Sequence, residues 1–236
     1  MMMSNIAADD LKAQFEAFIR APSFPCVGAK SALARHHIDM IVAADLRCPA
    51  DDRRILAALG QVAATYRAEA RPFYSLAVIF RQPDDLSELA FEQAMWARLQ
   101  ALADRDEACG APYDPRVSPD ASDPHFSLSF AGEAFFLVGM HPRSSRPARR
   151  FMTPVLVFNP HDQFEKLRDD DRYQAIRDTI IARDIALAGS PNPMLAVHGD
   201  SSEAAQYSGR AVGPNWRCPF EARTTTPDSK IEDTQE

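Results

Sequence analysis

The sequence predicts an α+β fold, a mixed and partly antiparallel sheet packed with helices, in a single domain over residues 9–221. Two observations carry this reading. Helical and strand periods alternate through about the first hundred residues, and the middle of the chain then carries a hairpin pattern, which places neighbouring strands antiparallel. A purely parallel, doubly wound sheet is the competing reading.

Taken in order, Leu11, Phe15, Phe18 and Ile19 recur at helical spacing, and this helix should stop before Pro22, because a residue preceding proline is biased out of the α region. Ile38 to Leu46 reads as a buried strand. Asp51 or Asp52 is placed to cap a helix whose inward stripe is Ile55, Leu59, Val62 and Tyr66, with Phe73 to Phe80 as the next strand. A third helix is expected over Asp84 to Asp104, its broad apolar face made of Leu89, Trp96 and Leu99 with Phe91, Met95 and Leu102. Pro112, Pro115, Pro119 and Pro124 make 109–125 an irregular loop, a linker or a lid. Phe126, Leu128 and Phe130, the turn Ala131-Gly132-Glu133, and Phe135 to Met140 form the hairpin, and Thr153 to Phe158 a further strand. Pro160 fits the first position of a helix running through Phe164 and Leu167. Asp169-Asp170-Asp171 should break it before Tyr173, Ile176, Ile180 and Leu187 resume the helical spacing. Residues Gly189 to Phe220 read as loop. The start, 1–8, and the polar tail, 222–236, read as disordered.

Composition narrows the function classes. A net charge of -7 is the wrong sign for binding nucleic acid through the overall field. The longest apolar stretches, such as Phe135 to Met140, fall far short of the roughly 18 residues that cross a membrane. The acidic start does not resemble a signal peptide, so the expected location is the cytoplasm. Cys26, Cys48, Cys109 and Cys218 stand far apart, without the paired spacing of a zinc ribbon or a redox dithiol.

Two segments concentrate chemistry. Gly139 to Phe151 follows directly on a buried strand and holds four arginines and no acid, although Lys stands at only four positions in the whole chain. Guanidinium forks match carboxylates and phosphates; the bland alternative is a solvated loop pairing with acidic neighbours. His141, at the strand end and just before a proline, is held as rigidly as a metal ligand or base must be, or is a hydrogen-bonded packing residue. A rigid imidazole, arginines for two propionates and phenylalanine walls are what a haem site requires. The second segment, Gly199 to Arg210, carries Asp200 and Glu203, which suit a cationic substrate head, or simply a loop bonding its own backbone. His125 and His161 are further pocket candidates, and His161 with Glu165 has the spacing of a weak metal pair or of a surface pair. Cys48-Pro49 and Cys218-Pro219 are potential thiolate ligands.

Phe24-Pro25-Cys26-Val27-Gly28, Gly139-Met140-His141-Pro142 with Ser144-Ser145-Arg146, Phe158-Asn159-Pro160-His161-Asp162, and Gln206-Tyr207-Ser208-Gly209-Arg210 ending in Trp216-Arg217-Cys218-Pro219-Phe220 resemble the YqcI/YcgG family over residues 11–221. That family includes haem-dependent N-hydroxylases, so the resemblance implies haem b and oxidation of an amine or guanidine nitrogen of a small amino-acid-like substrate by dioxygen or hydrogen peroxide. If haem is bound, the rigid strand-end position makes His141 the expected iron ligand, with His161, His125 and the Cys-Pro thiolates as competitors, and Arg146, Arg149 and Arg150 are expected to bind the propionates. Ser145 and Phe151 stand beside the cofactor, and Asp200 or Glu203 positions the substrate. A homodimer is allowed for. The alternatives are a non-catalytic haem-binding or sensing protein, and a non-haem iron oxygenase using His125, His141 and an acid.

Overall fold

A computed structural model describes residues 6–69, 71–163, 172–194 and 202–223. Its first helix, α1 (Ala8–Arg20), forms because Leu11, Phe15 and Ile19 line one buried face, with Asp9 and Asp10 at the positive end of the helix dipole. α2 (Val27–Ala34) is capped by Cys26, whose Sγ accepts from the Ala29 N–H at 3.4 Å. Then come β1 (Ile38–Asp45), α3 (Asp52–Glu69), β2 (Ser75–Gln82) and α4 (Glu88–Ala108), with Ser87 accepting from the Ala90 N–H as N-cap. The hairpin is β3 (Leu128–Phe130) and β4 (Glu133–Met140), joined through Ala131 and Gly132, both at positive φ. β5 (Val155–Pro160), α5 (Arg172–Ala188) and the single turn α6 (Ala204–Tyr207) complete the described elements.

The five strands form one sheet in the order β1-β2-β5-β4-β3. β1 and β2 are parallel, connected through α3; β2–β5, β5–β4 and β4–β3 are antiparallel. The chain is therefore α+β with a mixed sheet, and the parallel alternative is excluded. Strand alternation divides the core in two. Leu76, Val78 and Phe80 of β2, Phe135 and Leu137 of β4, and Leu156 and Phe158 of β5 pack with α3 and α4. Ala77, Ile79, Met140 and Val155 face the other way, against Leu11, Phe15 and Ile19 of α1.

Several expectations are corrected. Leu89 is 51% exposed, because it stands two residues from Phe91 and hence on nearly the opposite side of α4; the buried stripe is Phe91, Met95, Trp96, Leu99 and Leu102. Asp52 is the first residue of α3, and its buried carboxylate accepts from Arg98 Nη1 at 2.6 Å. Pro160 closes β5 opposite Phe135, its neighbour His161 donating its N–H to Ala134 O at 2.8 Å, and the expected helix begins two residues later, with Asp162 and Gln163 helical; the reading for Phe164 and Leu167 lies outside the described residues. The proline-rich loop is neither linker nor cover for the site described below. Tyr113 Oη donates to Ser127 O, and Asp114, fully buried, accepts from the Ala134 N–H, so both tie it to the hairpin. Within 189–220, Ala204, Tyr207 and Phe220 are core residues, and Trp96 stacks on Tyr207. The readings placed on 1–5, 164–171, 195–201 and 224–236 lie outside the described residues.

Candidate functional site

Between the sheet and the helices α1, α2 and α5 lies a cavity of ≈ 370 Å³, within the range of small-molecule sites. Its position follows from strand periodicity. Phe136, Val138 and Met140 of β4 and Val157 and Asn159 of β5 share one sheet face and form its floor. Phe15 and Ile19 of α1 and Ile176, Ile180 and Ile181 of α5 form apolar walls, the isoleucines recurring at helical spacing. Polar groups enter from several elements: Ser75 and Asn159 on the sheet, His161 and Gln163 just beyond β5, Arg177 and Asp184 on α5, Asn192 after it, Glu203 and Gln206 at α6, and Arg149.

His161 continues the alternation of Val157 and Asn159, and so emerges on the cavity side. Its Nε2 lies 3.9 Å from Glu203 Oε2, the two side chains being only 10% and 14% exposed. An imidazole and a carboxylate thus meet on the cavity wall. Arg149 reaches the cavity from the short 3-10 turn Pro147–Arg149, and its Nη1 donates to Tyr207 O at 2.8 Å and Gly139 O at 3.3 Å. Burial lowers its pKa to about 10, with Asp184 opposing the shift. Asn159 is fixed by Ser75 Oγ, which donates to its Oδ1 at 2.7 Å.

The sequence model of the YqcI/YcgG family matches residues 15–221. The chain belongs to the YqcI/YcgG family. No curated protein and no solved structure matches it. In this YqcI/YcgG protein, the matched span covers the described cavity wall from Phe15 to Gln206.

The residues singled out in the sequence are distributed unevenly around this cavity. Glu203 lines it, and Asp200 lies outside the described residues. His141 does not line it. Met140 faces the cavity, so its neighbour turns to the other side of the sheet, where the imidazole stacks on Phe91 with centroids 4.4 Å apart. It is 1% exposed, and among the described residues its Nδ1 has no hydrogen-bond partner. Of the arginines between 143 and 150, only Arg149 lines the cavity. Arg146 Nη2 pairs with Asp184 and its Nη1 donates to Ser190 O at 3.1 Å, while Arg150, exposed, folds back onto Ser144 O at 3.0 Å. Pairing with an acidic neighbour therefore describes Arg146. Ser145 is exposed, its N–H donating to Glu88 Oε1, and Phe151 packs edge-on against Phe15, behind the wall. His125 is exposed beside Asp123, Cys48 is exposed, and Cys218 does not line the cavity; burial raises its pKa to about 12. Among the described residues no group of three or more His, Cys, Asp or Glu side chains is placed to hold a metal ion.

Sequence reasoning gave no site role to Asn159, Gln163, Gln206 and Arg177, which also line the cavity, although Asn159 and Gln206 stand in the motifs that carry the family resemblance. Asn159 left a signal, a polar residue at the inward position of a strand that otherwise reads Val155, Val157. Arg177 left none.

Burial lowers the pKa of His141 to about 4, Glu88 opposing the shift. Its unfolded value is about 6.5, so between those values the unfolded chain binds the extra proton. Stability is thus expected to fall as pH drops from about 6.5 to 4, by up to about 3 kcal/mol from this group. Urea unfolding of wild type and H141F across that window checks it. A difference between the two curves that does not change with pH would remove His141 as the cause.

Proposed function

We propose that this YqcI/YcgG protein is a haem-dependent oxygenase that N-hydroxylates an amine or guanidine nitrogen of a small amino-acid-like substrate, and that cofactor and substrate share the cavity. The observation that carries the reading is the His161 imidazole beside the Glu203 carboxylate in a cavity whose apolar lining includes Phe15, Phe136, Val138 and Ile180. The residues present fit the group: an apolar slot for a porphyrin, one imidazole as iron ligand, and guanidinium groups for its carboxylates. Once bound, haem supplies oxygen activation. The chain's own residues do the rest. His161, rather than His141, provides the ligand nitrogen, because it is the one on the cavity wall. Glu203 holds the cationic nitrogen by charge-assisted hydrogen bonds and orients it, and the isoleucines of α5 keep water from the reacting nitrogen. With peroxide the balance is one amine and one hydrogen peroxide giving one hydroxylamine and one water; with dioxygen, two electrons and two protons are also consumed.

The test is the absorption spectrum of purified protein, before and after haemin addition, with a pyridine haemochrome assay and product analysis. A Soret band and an N-hydroxylated product that disappears in E203Q are expected. No Soret band after reconstitution sinks the haem reading, whereas a ligand-responsive Soret band without product from any amine or guanidine tried favours a sensor.

A further inference from the structure

Four arginines lie on or beside the cavity and three are already engaged. Arg149 donates to Gly139 O and Tyr207 O, Arg146 pairs with Asp184, and Arg183 donates to Pro22 O at 2.8 Å and Phe24 O at 3.2 Å. Arg177 is different. It lies half-buried on the cavity face of α5, between Ile176 and Ile180, and among the described residues no hydrogen bond or ion pair engages its guanidinium. The acids within reach along its own helix are committed elsewhere: Asp178 accepts from Gln174 Nε2 at 2.7 Å, and Asp184 holds Arg146. A guanidinium drawn partly out of water onto a largely apolar cavity wall, with no acid engaging it among the described residues, is disfavoured unless an anion meets it, and its planar fork matches a carboxylate in bidentate fashion.

We propose that Arg177 is the carboxylate anchor of the cavity: the ligand that fills it carries a carboxylate, and that carboxylate docks on Arg177. The inference rests on the reading of the cavity as the ligand site. It also moves the anion-binding role from the Arg143–Arg150 segment, where the sequence concentrated it, to a single residue of α5. The carboxylate has two chemical sources, a porphyrin propionate or the carboxylate of an amino-acid substrate.

R177Q removes no hydrogen bond or ion pair within the described residues, so its melting temperature should stay close to the wild-type value, and the variant can be read for binding. In one arm, haemin and iron protoporphyrin IX dimethyl ester, which lacks free carboxylates, are titrated into wild type, R177Q and R177K and followed by absorbance. In the other, L-arginine and agmatine, which differ only by the carboxylate, are titrated calorimetrically. Wild type should prefer the acid over its carboxylate-free counterpart by about tenfold to a hundredfold in one arm, the strength of a charge-assisted pair. R177Q should lose that preference and R177K keep part of it. Loss in the porphyrin arm identifies a propionate, and loss in the amino-acid arm a substrate carboxylate. Equal preference in wild type and R177Q in both arms, or none in wild type, overturns the proposal. The haem reading is judged separately, by whether wild type binds haemin at all.

Discussion

Replacing His161 with Ala should abolish the Soret band and weaken haemin binding by at least about a hundredfold, while the fold survives. The ring lies on the cavity wall, 3.9 Å from Glu203, and losing the proposed iron ligand would remove the strongest single contact available to a porphyrin there. The backbone is spared, because the His161 N–H that bonds Ala134 O remains in the variant. A stability change of about 1 kcal/mol is expected. His141→Ala should do the reverse. Its ring is fully buried against Phe91 on the opposite face of the sheet, so truncation opens a void and costs about 2–3 kcal/mol while leaving haem occupancy intact. Absorption spectra and urea melts of both variants decide the matter. Loss of the Soret band in H141A at full stability, with retention in H161A, would return the ligand role to the strand end.

The second large effect is on stability. Gly209 adopts φ +81°, and a Cβ built there would lie 2.5 Å from Arg149 Cδ, closer than side-chain carbons approach. Gly209→Ala must therefore strain the backbone and displace Arg149, whose bonds to Gly139 O and Tyr207 O tie the end of β4 to α6. About 3 kcal/mol should be lost, or roughly 6–12 °C in melting temperature for a chain of this size. Gly213→Ala is the control, since a Cβ there meets nothing within 4 Å and the backbone is not left-handed. Equal melting temperatures for the two variants would show that Arg149 is not confined as described.

Much of the architecture was legible because the relevant signals are local. The Leu11-Phe15-Ile19 stripe, the Ile55-Leu59-Val62-Tyr66 stripe and the Phe130-Ala131-Gly132-Glu133 turn each specify an element from a few neighbouring residues. The site was less legible. Residues 135–140 are apolar on both strand faces, so alternation shows that Phe136, Val138 and Met140 share a face but not that this is the face bordering the cavity. The choice between His141 and His161 turned on that missing fact. Glu203 was readable as an acid in a polar segment, yet its partner lies 42 positions away in the chain, and no periodicity connects the two. Tyr207 and Phe220 looked like loop residues because their burial depends on Trp96 and Phe126, brought up by α4 and the hairpin.

By itself the sequence determined the α+β class, the helix stripes, the hairpin and the family, all of which are written in short-range patterns or in contiguous motifs. Only the tertiary structure decided which of His141 and His161 borders the cavity, that Arg146 is engaged by an acid while Arg177, among the described residues, is not, and that α5 joins α1 and α2 in the wall opposite the sheet. These outcomes depend on which buried face meets which helix, and that is set by packing between segments far apart in the chain, where each residue's own neighbours carry no record of it.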